Sequence, residues 1–266
     1  MNLFKRVKSY EITKRQKLIL MSFFLSMVLI ATQTVGEGVR YQVMMFLAVA
    51  TLLLAMFALW GELSGIKYFL LLLLPIYFVM GASLFYFLLP VRWLTRLPFA
   101  LVFGVSVYLL MLTSNIFNVS SIRTIALLRV AHAVGLLFSL VSTFFLTNVL
   151  FSLHLPVYFI VPAVVLITGP LYLVGMWSYE LEDFVSRRVF SFASVFTLVT
   201  VQIVAIISFW PVVPINAALI IVTVMYVLLG LGQFVFQEKI KPRVVWEHLF
   251  VAILVFVVIL ISTKWG

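Results

Sequence analysis

The chain has 266 residues, of which 65% are apolar, 16% aromatic and 10% charged, and its 18 Lys and Arg against 8 Asp and Glu give a formal charge of +10. A soluble domain carries roughly 25% charged residues and under half apolar ones, so this composition excludes a water-soluble globule and calls for a surface that meets lipid. The absence of Cys excludes disulfides, thiolate metal sites and Cys nucleophiles.

Residues 1–17 form a basic tail holding Lys5, Arg6, Lys8, Lys14, Arg15 and Lys17. An apolar run of about 20 residues crosses a hydrocarbon core about 30 Å thick, and nine such runs follow. The first, Leu18 to Gly36, sits behind the tail as the core of a signal peptide would. Ala31 to Gly38 offer no clear small-x-small cleavage site, so the run is read as a retained anchor. Next come Tyr41 to Trp60, then Tyr68 to Pro90 with Pro75 and Gly81 inside it, then Leu97 to Phe117. The fifth, Ile122 to Leu153, has 32 residues, which as one helix is about 48 Å long and must tilt or project beyond the core. Val157 to Ser178 follows, interrupted by Pro162 and Pro170, and then Val189 to Val213, Ile215 to Gln237 and Trp246 to Thr263. The last run carries Glu247 and His248 in its first turn. Barrel strands are about 10 residues of alternating pattern, so the fold expected is all-α: a polytopic transmembrane helix bundle of about nine spans, eight if the last run or the fourth-fifth boundary fails to cross. Residues 18–266 then form a single transmembrane domain, without a repeat visible in sequence.

Lys and Arg near span ends stay in the cytoplasm. With the tail inside, the inner face holds its six basic residues plus Lys67, Arg123, Arg129, Arg187, Arg188, Lys239, Lys241 and Arg243, which makes 14; the outer face holds Arg40, Arg92, Arg96 and Lys264, which makes 4. Indoles favour the two interfaces because one edge is apolar and the N–H polar. Trp60, Trp177 and Trp246 fall at inner ends, and Trp93, Trp210 and Trp265 at outer ones. The net basic charge is thus a topology signal, and nucleic acid is not an expected partner.

Intramembrane charge marks ion and substrate paths, and the spans contain almost none. All eight acids, Glu11, Glu37, Glu62, Glu180, Glu182, Asp183, Glu238 and Glu247, lie in the tail, in loops or within a turn of a span end. The cluster of Glu180, Glu182 and Asp183 reads as a solvated loop balanced by Arg187 and Arg188 rather than a divalent-ion site, and neither metal nor cofactor is expected. H-E-x-x-H, Gly-x-Ser-x-Gly, Walker and C-x-x-C patterns are absent, which removes the readable enzyme classes.

The fifth run holds the most distinctive pattern. Ser120 or Ser121 is placed to cap its helix. At about 100° per residue from Arg129, His132 falls at about 300°, Ser139 at about 280°, Thr143 at about 320° and Thr147 at about 0°, a polar stripe that should face other helices. Two readings stand: a structural stripe bonded to its own backbone, or a site for an anionic lipid headgroup or other ligand. The second would draw on Arg123, Arg129, His132, Asn115, Asn118, Ser139, Thr143, Glu180 and Asp183. The short turn at His154 to Pro156 brings the inner ends of the fifth and sixth helices close enough for Arg129 to meet the acidic loop.

The stretch from Asn118 to His132, continuing through Ala133 to Leu137, resembles a family of uncharacterised multi-span membrane proteins of candidate-phyla bacteria, defined as a domain of unknown function. The resemblance implies a bacterial inner membrane protein and carries no activity. Three functional classes follow: a non-enzymatic envelope component that binds partners; a transporter or lipid-handling carrier using the stripe and the proline-containing spans; and an interfacial enzyme on a lipid-linked substrate. A continuous cavity along the stripe favours the second, a lateral cleft at the inner leaflet favours the lipid chemistry of the third, and a filled core favours the first.

Overall fold

The computed structural model describes residues 13–32, 39–58, 66–120 and 126–263. The residues described form nine α-helices and no strand: α1 (Lys14–Ala31), α2 (Arg40–Ala58), α3 (Ile66–Leu88), α4 (Trp93–Ser120), α5 (Leu128–Ser152), α6 (Val157–Trp177), α7 (Arg187–Ile207), α8 (Pro214–Phe236) and α9 (Pro242–Ser262). Seven of them, α3 to α9, are long and apolar enough to cross a membrane. The helix of the first run begins inside the basic tail: Lys14, Arg15 and Lys17 occupy its first turn, which shortens its apolar part. The tail residues before 13 lie outside the described residues, as do Glu11, Glu37, Trp60, Glu62, Ser121, Arg123, Lys264 and Trp265.

Helix starts follow local chemistry. Thr13 caps α1 in a reciprocal box with Gln16, each side chain accepting from the other's backbone N–H. Ser186 accepts from the Val189 N–H at 3.1 Å to start α7, while Pro214 and Pro242 open α8 and α9, where a missing N–H leaves no bond unmade. His154, Leu181 and Glu238 adopt positive φ in the turns that follow α5, α6 and α8, the left-handed step that stops a helix.

The fifth helix differs from the sequence reading. Ala126 and Leu127 form a turn and the helix begins at Leu128, so its 25 residues measure about 37 Å rather than about 48 Å. Ser120 closes α4 instead of capping α5, whose N-cap is Leu127 without a side-chain bond. The proline-containing spans are also unbroken, since α3 and α6 remain helical through Pro75, Pro162 and Pro170.

Helix α5 is the hub of the bundle, packed against α3, α4, α6 and α8. Around it, α1 lies on α4 and α2, α7 lies on α6 and α8, and α9 lies on α8. Successive helices alternate in direction. One end of the bundle therefore gathers the starts of α3, α5 and α7 and the ends of α4, α6 and α8, joined by Lys67 to Asp183 and Arg188 to the Phe236 carbonyl. Small residues permit the closest crossings: a Cβ on Gly81 would sit 3.1 Å from Leu146 and 3.3 Å from the Ser142 carbonyl, which lets α3 and α5 approach backbone to backbone. Phe78, Phe103, Phe138 and Phe145 fill the space between α3, α4 and α5, with Phe78 edge-on to Phe138 at 5.2 Å.

Candidate functional site

The sequence-derived candidates divide into three groups. Ser139 and Thr143 lie in the interior of α5, as does Thr147, and all three are fully buried. The hydroxyls of Ser139 and Thr147 donate to the carbonyls one turn back, at 2.9 Å to Gly135 and 2.6 Å to Thr143, and Thr143 donates to the Met225 sulfur of α8 at 3.0 Å. The stripe thus faces protein. On the opposite side Leu137 is exposed, while Val141 and Phe145 are half-buried, with Phe145 stacked on Phe85 of α3 at 4.7 Å.

The second group surrounds His132 at the start of α5. Its Nε2 lies 2.8 Å from the Ser178 carbonyl at the end of α6, and its ring stacks on Tyr179 at 4.3 Å with Phe117 of α4 at 5.5 Å. The Tyr179 hydroxyl donates to Gln233 Oε1 of α8 at 2.6 Å. Burial pushes the Tyr179 phenol up to about 12, since its charged form would be poorly solvated there. These residues border a cavity of about 20 Å³ that Ser139 and Leu229 also line, room for about one water molecule. Asn115 and Asn118 occupy the adjoining end of α4; Asn118 is buried, and Asn115 Oδ1 is buried without a hydrogen-bond partner among the described residues.

The third group is charged and dispersed. Arg129 is exposed and forms no ion pair among the described residues. Asp183 pairs instead with Lys67 of α3. Glu180 is half-buried, and its Oε2 is enclosed without a partner among the described residues. Arg123 lies outside the described residues. No group of three or more His, Asp or Glu converges among the described residues.

Several interhelical bonds escaped the sequence reading, although their signal was present in it. A proline inside a helix leaves the carbonyl four residues earlier without its N–H. For Pro75 that carbonyl is Leu71, and Ser114 Oγ of α4 donates to it at 3.0 Å. For Pro170 it is Leu166, and the Tyr77 hydroxyl of α3 donates to it at 2.7 Å. These two carbonyls, opened near the middle of α3 and α6, are therefore occupied by neighbouring helices rather than free for a substrate. Tyr172 of α6 and Thr200 of α7 also share a buried hydrogen bond of 2.7 Å.

Larger spaces open sideways. One of about 570 Å³ lies between α3 and α7 over α6, one of about 510 Å³ between α7 and α9 over α8, and one of about 450 Å³ between α1 and α2. Compared with protein-family models, with curated proteins and with solved structures, the chain matches none.

Proposed function

We propose that the chain is a nine-span integral membrane protein of a bacterial inner membrane, with its amino-terminal tail cytoplasmic, acting as a non-enzymatic, partner-binding component of the envelope. The observation that carries this reading is the filled interior: beside His132 and Ser139 the enclosed space is about 20 Å³, too small for a solute larger than water, and farther along the stripe Thr143 and Thr147 are fully buried. A carrier needs intramembrane groups that change partners during transport. The stripe hydroxyls and the carbonyls freed by Pro75 and Pro170 already have partners within the bundle.

The orientation is supported by the Lys and Arg split and the bacterial assignment by the resemblance around Asn118 to Leu137. The basic end of the bundle, with Arg129 and Arg187 exposed, also favours anionic lipid headgroups as partners on that face. Partner docking is favoured at the open flank, where α9 buries only His248 and Ile259 within the helix.

Single-cysteine labelling tests the topology, because the chain has no Cys of its own. Glu180→Cys is expected to resist a membrane-impermeant reagent in intact cells and to react after permeabilisation; reaction from outside overturns the orientation. Uptake of a small solute by reconstituted vesicles, abolished by His132→Ala, would overturn the non-transport reading.

A further inference from the structure

We propose that the lateral cleft between α3 and α7, floored by α6, holds one acyl chain of an anionic phospholipid whose phosphate rests on Arg187. The inference rests on the membrane reading and not on which face is cytoplasmic. Its volume of about 570 Å³ lies within the roughly 300–1,000 Å³ of ligand-binding clefts. The walls are predominantly apolar, with Phe69, Leu73, Phe190 and Leu198 among the lining residues. Two of the hydroxyls that reach it are already engaged: Tyr77 donates to the Leu166 carbonyl and Thr197 to the Ala193 carbonyl. Such walls suit a hydrocarbon chain and offer little to a polar solute.

Charge at one end selects the class of lipid. Arg187 stands three, seven and eleven residues before Phe190, Ser194 and Leu198, which places all four on one face of α7 within an arc of about 80°, with Arg187 about one turn beyond the cleft's end. It is exposed and makes no ion pair among the described residues. The two other cations that begin α3 and α7 are committed. Lys67 pairs with Asp183, and the Arg188 guanidinium lies over the Phe236 ring at 4.4 Å while donating to the Phe236 carbonyl. A guanidinium presents a planar fork that matches phosphate oxygens, so Arg187 is left to face a headgroup. Neither this cleft nor the groove of similar size over α8 has a charged residue among those lining it; they differ in how close Arg187 lies, three residues before Phe190 in the one and twelve before Val199 in the other.

The test is native mass spectrometry and thermal unfolding of the full chain, reconstituted in nanodiscs of phosphatidylglycerol or of phosphatidylcholine and then released into mild detergent. The wild-type protein is expected to retain one phosphatidylglycerol and to melt higher with it than with phosphatidylcholine. Arg187→Gln should lower that preference about fivefold, the worth of one cation near a headgroup layer, while Arg92→Gln, between α3 and α4 at the opposite end of the bundle, leaves it unchanged. Ser194→Trp, which fills the cleft, should abolish retention of either lipid; if that variant does not fold, Leu198→Trp at the cleft edge serves instead. Equal retention of both lipids by the wild-type protein, or a phosphatidylglycerol preference that survives Arg187→Gln, overturns the proposal. Disulfide-linked dimers of Ser194→Cys formed in the membrane would also overturn it, by identifying a second copy of the chain as the occupant. Because the labelling of Glu180→Cys reads topology alone, failure of the orientation and failure of the lipid site are distinguishable.

Discussion

Helices α5 and α9 are both long, apolar and free of proline in their interiors, yet they occupy opposite environments. Of the seven candidate spans α9 is the most apolar and the least buried. It packs chiefly on α8, held at its start by His248, which stacks on Tyr226 at 5.0 Å above Gly230. Helix α5 is less apolar, and half of its most apolar stretch is enclosed by protein. In lipid the apolar surface gains nothing by leaving the solvent, so hydrophobicity does not select the core; small residues that permit close approach and hydroxyls that need partners do. Gly135, Ser139, Ser142, Thr143 and Thr147 mark the buried face of α5 for that reason. Along α9 from Leu249 to Leu260 there is no residue of either kind except Ala252.

The largest effect that this contrast predicts is at the α3–α5 crossing. Gly81→Val should destabilise the bundle by about 1–3 kcal/mol or more, read as a lower melting temperature and a reduced folded fraction in detergent. The reason is that the Ser142 carbonyl on one side of the new side chain is backbone and cannot turn away. A similar enlargement on the exposed face of α9, Val258→Phe, should leave the melting temperature unchanged; if both changes cost the same, α9 is covered by a partner or α5 is not the hub.

Ser114→Ala comes next. It removes the donor from the Leu71 carbonyl that Pro75 leaves open, and a buried acceptor left without a partner costs about 1–3 kcal/mol. The control is Ser114→Ala in a Pro75→Ala background. There the restored N–H of residue 75 supplies the carbonyl, and the two changes should be less than additive in a double-mutant cycle.

A smaller effect is expected at the His132 cluster. Tyr179 has a folded-state pKa raised from about 10 to about 12, so its neutral form is the one the fold favours. Its contribution is complete below about pH 10 and is lost as pH rises toward about 12. Tyr179→Phe should therefore flatten the decline in melting temperature across that window, at the expense of the Gln233 bond at lower pH; an unchanged slope would place Tyr179 in contact with water.

Smallest is Arg129→Ala. An exposed side chain without an ion pair among the described residues should change stability by no more than about 0.5 kcal/mol. The acidic loop instead answers to Lys67, and Lys67→Ala is expected to lower stability by at most about 1 kcal/mol, since Asp183 is largely exposed.

Composition and run length alone determined that the chain is helical and membrane-embedded, because only a helix of about 20 apolar residues satisfies its own backbone across hydrocarbon. The 3.6-residue period likewise placed Ser139, Thr143 and Thr147 on one face of α5, and a polar face must turn toward protein. Which helix that face meets is decided by contacts between residues far apart in the chain. Thr143 meets Met225, His132 meets Ser178 and Tyr179, and Ser114 supplies a carbonyl 43 positions away. The basic residues show the same division. Their gathering at the ends of apolar runs is legible in the sequence, but only the tertiary structure decided that Asp183 pairs with Lys67, leaving Arg129 and Arg187 without an ion pair among the described residues, because in a bundle the neighbours at a helix end are set by packing rather than by loop order.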